Sequence, residues 1–96
     1  MKPYVDYDQF LLKTLKDPQQ AAAYLNAALE ENDPTLFLTA YNNVARAHGF
    51  KKIAAKAKVH RVSLSKMFSK RGNPEWKSLF RVLAASHLQL RVAACR

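Results

Sequence analysis

The sequence predicts an all-α protein of about five or six helices, and three observations lead there. Of its 96 residues 49% are apolar, yet only two are Gly and four are Pro. Apolar residues recur at three- and four-residue spacing along most of the chain. A capping side chain stands directly before a proline at Asp17-Pro18, Asp33-Pro34 and Asn73-Pro74, the signature of a helix start. The length suits one domain, residues 1–96, just large enough to bury a core of its own.

The elements follow in order. Phe10, Leu11, Leu12 and Leu15 mark a short helix from about Tyr7 to Lys16. After Asp17-Pro18, Ala21, Tyr24, Leu25, Ala28 and Leu29 fall on one face of a second helix. After Asp33-Pro34, Phe37, Ala40, Tyr41 and Val44 do the same in a third, which stops at Gly49. Between Gly49 and Pro74 the pattern is of two short helices. Ile53, Ala54 and Ala57 face inward from the first, Val59 plugs the turn, and Leu64, Met67 and Phe68 face inward from the second. This is helix-turn-helix spacing, with Ala54 small where the two helices approach. Asn73-Pro74 then opens a last helix ending near Ser86, with Trp76, Leu79, Phe80 and Leu83 inward; Trp76 and Phe80 are expected in the core. In the tail HLQLRVAACR, Leu88, Leu90 and Val92 alternate as in a short strand or an extended arm.

Charge is divided unevenly. The whole chain carries a formal +9, but residues 1–48 hold four Lys or Arg against six Asp or Glu, a net −2. Residues 49–96 hold twelve against Glu75 alone, a net +11. A basic half of this kind points to nucleic acid or another anionic partner. The expected organisation is an N-terminal helical region at 1–32, a helix-turn-helix DNA-binding core at 33–88 and a C-terminal arm at 89–96.

Placing the apolar residues of the second short helix inward leaves Arg61, Val62, Ser65, Lys66 and Ser69 on its exposed face. In a major groove Arg bonds guanine bidentately, Ser bonds either base type and a Val methyl meets the thymine methyl. Arg61, Val62, Ser65 and Lys66 are therefore the candidates for base readout. Lys51, Lys52, His60, Ser69, Lys70 and Arg71 flank them as candidates for phosphate contact.

The segment HGFKKIAAKAKVHRVSLSKMFSKRGNPEWKSLFRVLAAS resembles the Cro/CI-type helix-turn-helix of the addiction-module antidote family, the HigA-like antitoxins. The upstream AAAYLNAALEENDPTLFLTAYNNVARAHG is similar to that family too, so the resemblance covers roughly residues 7 to 92. Its most specific parts are YLNAALEE, RVSLSKMFS and GNPEW. The resemblance implies an antitoxin of a type II toxin-antitoxin system. Such a protein binds and suppresses a small toxin of the ribosome-dependent ribonuclease type and represses its own operon. Asp6, Asp8, Glu30 and Glu31, in the acidic half, are the candidate contacts for a basic toxin. A homodimer is expected, with two recognition helices in major grooves about 34 Å apart on an inverted-repeat operator in double-stranded DNA. The chain departs from the family at three places. Lys58 stands where the turn has Gly, His60 where a Ser or Thr caps the recognition helix, and Ser65 where an aromatic is frequent.

Other chemistry finds no footing in the residues. There is no Gly-rich phosphate loop and no paired carboxylate in the basic half, and His60 beside Ser63 and Ser65 has no acid to orient it, so neither catalysis nor a small-molecule substrate is expected. His48, His60 and His87 are too dispersed for a metal set, and Cys95 alone builds neither a disulfide nor a thiolate site; no metal or cofactor is expected. The opening MKPYVDYDQF has no apolar run, and no stretch approaches the roughly 18 apolar residues of a membrane span, so a cytoplasmic protein is expected. Two rivals to an operator-binding antitoxin stay open. One is a protein-interaction module whose basic face meets an acidic protein, and the other a non-specific nucleic-acid binder.

Overall fold

A computed structural model describes residues 7–95. Six helices follow in order: α1 (Tyr7–Leu15), α2 (Pro18–Glu30), α3 (Pro34–His48), α4 (Phe50–Ala57), α5 (Arg61–Met67) and α6 (Trp76–Ala85). The aspartate-proline pairs start two of them as their chemistry dictates. The Asp17 carboxylate accepts the Gln19 N–H at 3.0 Å, and that of Asp33 accepts the Thr35 N–H at 3.0 Å. Pro18 and Pro34 take first-turn positions, where a missing N–H costs no hydrogen bond.

Asn73-Pro74 does not act in this way. α6 begins two residues later, with Glu75 as its N-cap and no side-chain cap bond. The cause is the exit from α5. Gly72 lies so close to the end of that helix that a Cβ there would fall 2.0 Å from the Met67 carbonyl oxygen. The chain must first clear α5, and Pro74 keeps Asn73 out of the helical region. The first bond of the next helix runs from the Leu79 N–H to the Glu75 carbonyl at 2.9 Å.

α3 is the central element. It packs against α1, α2 and α4, and buries Phe37, Tyr41 and Val44 among others. Leu15, Ala21 and Leu25 cover it from α1 and α2, while α4 rests on α5 and α6 through Ile53, Ala54 and Ala57. At the bottom of the core the Tyr41 hydroxyl meets Ser86 Oγ and lies 3.3 Å from the Val82 carbonyl oxygen, to which Ser86 also donates at 2.8 Å. Burial pushes the Tyr41 phenol up to about 12, against the opposing hydrogen bond to Ser86, so it stays neutral at physiological pH. The Tyr41 ring packs on Phe68 with centroids 4.4 Å apart, and Asn42 donates to the Phe68 carbonyl at 3.3 Å, tying the end of α5 to α3.

Two expectations are corrected. α6 buries Ser78, Val82 and Leu83, and turns Trp76 and Phe80 outward. Both stripes of this helix have helical spacing; the one chosen carries small residues, which permit close approach and supply the Ser86 partner of Tyr41 just past its end. The tail forms no strand among the described residues. Leu88 and Leu90 pack against the core, whereas Val92 is fully exposed. A fold made of helices offers this arm no sheet edge to pair with. No helix among the described residues is long and apolar enough to cross a membrane.

Candidate nucleic-acid interface

α4 and α5 are set by three backbone features. Gly49, with φ 96°, both ends α3 and begins α4, so the chain reverses within one residue. That conformation suits glycine, which has no Cβ to clash. α4 ends at Lys58 in the left-handed region, φ 58° and ψ 43°. There the Val59 N–H donates to the Ala54 carbonyl at 3.0 Å, closing the last turn. A lysine in this conformation costs about 1 kcal/mol relative to glycine. His60 is the N-cap of α5 and makes no side-chain cap bond; only its carbonyl serves, accepting the Leu64 N–H at 2.9 Å.

On α5 the pattern separates cleanly. Leu64 and Phe68, the latter just past its end, are buried against α3 and α4, while Arg61, Val62, Ser65 and Lys66 are all exposed along the opposite face. Val62 is 57% exposed, an aliphatic side chain left largely in solvent. Lys51, Lys52, His60, Lys70 and Arg71 are exposed around this helix. Ser69 is exposed too, but its hydroxyl donates to the Lys66 carbonyl at 2.9 Å, a bond it must give up to donate to phosphate. Among the described residues the ion pair is between Asp8 and Arg46, at 2.7 Å, and none of these cations takes part in one.

The four candidate acids are not one patch. Asp8, at the start of α1, grips Arg46 near the end of α3 with both oxygens, at 2.7 and 3.2 Å. Glu30 and Glu31 are exposed just before α3 begins. The intervening length of that helix is about 18 Å. Asp6 lies outside the described residues.

Sequence reasoning missed one surface feature. Trp76 is 66% and Phe80 50% exposed, and their rings meet edge to face with centroids 4.8 Å apart. The available signal was the alternative small-residue stripe of Ser78, Val82 and Ser86 on the same helix. Among the described residues no three His, Cys, Asp or Glu side chains gather as a metal set would.

A protein of Haemophilus influenzae described only as uncharacterized is 33% identical over 91 residues, covering 95% of this chain and 92% of its own length. No solved structure matches the chain at a significant level. A family model described as "Probable addiction module antidote protein" matches residues 6–94, nearly the whole chain. The chain therefore belongs to the family of probable addiction module antidote proteins.

Proposed function

We propose that this chain is the antitoxin of a type II toxin-antitoxin module. It binds and neutralises a small ribonuclease-type toxin and, as a homodimer, represses its own operon through sequence-specific binding of double-stranded DNA. The observation that carries the DNA part is the exposed face of α5, where Arg61, Val62, Ser65 and Lys66 stand together amid cations with no acidic partner among the described residues. The α4–turn–α5 pair is the helix-turn-helix, α5 enters the major groove, and Lys51, Lys52, His60, Lys70 and Arg71 hold phosphates. Residues 33–88 form the DNA-binding core, residues 1–32 bring the toxin contact, and 89–96 are an arm. Since Asp8 is already engaged by Arg46, Glu30 and Glu31 are the acids most ready to meet a basic toxin.

Fluorescence anisotropy against a duplex from the region upstream of the reading frame, and against a scrambled duplex, tests this reading at about 150 mM salt. A preference of about 10³-fold or more for the first supports a sequence-specific repressor. Equally weak binding of both removes the operator reading. The exposed Trp76, beside Lys77 and Arg81, favours one second reading, a binder of single strands that stacks bases on the indole. An unstructured oligonucleotide bound more tightly than either duplex, and lost on Trp76→Ala, would select it.

A further inference from the structure

A second cationic feature lies away from α5. The α1–α2 turn, the end of α3, the outer side of α4 and the residues after α6 enclose an open cleft of about 480 Å³. Lys16, His48, Lys52, Lys56 and His87 line it, over an apolar floor that includes Ile53 and Ala47, and no α5 residue takes part. No acidic side chain lines it, and none of the three lysines has an ion-pair partner among the described residues. His48 Nε2 is buried there with no hydrogen-bond partner, an arrangement that leaves a polar atom unsatisfied. His87 reaches the cleft from a left-handed backbone position, φ 63°, that closes α6 with bonds from His87 N–H to the Ala84 carbonyl and from Leu88 N–H to the Leu83 carbonyl.

We propose that the cleft formed by Lys16, His48, Lys52, Lys56 and His87 is a binding site for a phosphate oxyanion. The donor set fits that chemistry. Three ammonium groups from two elements act as point charges that a tetrahedral dianion satisfies, whereas a planar carboxylate is best matched by the guanidinium fork, and no arginine lines this cleft. The two imidazoles add N–H groups to the donor set. His48 feels the same cationic surroundings. Burial lowers its imidazole below the usual value, and the nearby His87, Lys52 and Lys56 push the same way, against a backbone hydrogen bond involving Leu15. An anion in the cleft opposes the electrostatic part of that shift. The site shares Lys52 with the proposed DNA face and draws its other lining residues from elsewhere, and a phosphate ester of a small molecule or a backbone phosphate of nucleic acid has the required chemistry.

The test follows the histidine ring signals by NMR during titration with inorganic phosphate, with chloride at matched ionic strength as the control. A saturable shift of the His48 and His87 signals with phosphate, absent with chloride, is expected. The Lys16→Gln/Lys56→Gln variant, which leaves every proposed DNA contact in place, is expected to bind phosphate about tenfold more weakly with an unchanged thermal melt. A phosphate response no larger than that to chloride, or full retention by the variant, would overturn the proposal. Repeating the phosphate titration on protein saturated with duplex identifies the source. Loss of the response shows a backbone phosphate in the cleft, and its persistence shows a separate phosphorylated ligand. Loss of operator preference with an intact phosphate response would remove the repressor reading and leave this site standing.

Discussion

Single residues carry the departures of this chain from its own pattern. Lys58 holds a left-handed backbone conformation in which its Cβ is strained. Lys58→Gly is expected to raise stability by about 1 kcal/mol, read as a shift in the urea midpoint with unchanged slope. Arg61 is the opposite case, a residue whose worth lies outside the folded chain. Arg61→Ala is expected to leave stability within about 0.5 kcal/mol of the parent, and to weaken binding to the preferred duplex by about 1–3 kcal/mol. Lys70→Ala should weaken preferred and scrambled duplexes alike. Equal loss on both duplexes for Arg61→Ala would reassign that arginine to the phosphates.

At the level of elements, the join between α5 and α6 is tight. Gly72 touches the backbone of Met67 where a methyl group has no room, and backbone cannot move aside as a flexible side chain would. Gly72→Ala is therefore expected to cost about 1–3 kcal/mol and to loosen the end of α5, seen as faster amide exchange at Phe68 and Ser69. All six helices were legible from apolar spacing and punctuation because those signals are local. Asp17 and Asp33 cap their helices with an oxygen two residues away, a contact that needs no knowledge of the rest of the chain. The late start of α6 and the outward turn of Trp76 were not legible. Both depend on what packs against the helix: the end of α5 in one case, and Tyr41 reaching Ser86 from 45 residues away in the other. The exposed set on α5 followed from its buried set, as two faces of one helix must. The cleft around His48 did not, since its lining comes from four segments scattered between Lys16 and His87.

At the scale of the whole molecule, the excess of cations meets few acids among the described residues. The Asp8–Arg46 pair is solvent-exposed and worth at most about 1 kcal/mol, so charge does little to hold the fold and is available to partners. If Lys51, Lys52, Lys70 and Arg71 each meet one phosphate, a dimer on duplex DNA should give a slope near −7 in a plot of log binding constant against log salt, and a single chain about half that. The slope thus reports the number of chains on the DNA without a separate measurement of mass.

The chain has one tryptophan, and it stands in solvent on the helix that follows α5. The molecule consequently carries its own optical gauge. Free, its indole should emit at the long wavelengths of a hydrated ring and be open to quenching by iodide. A toxin, a second copy or a base that settles on α6 will shift the light to the blue and shield it, while a ligand confined to the groove-reading face of α5 or to the His48 cleft will leave the colour where it was. One unlabelled sample can therefore tell which side of the protein a partner has chosen.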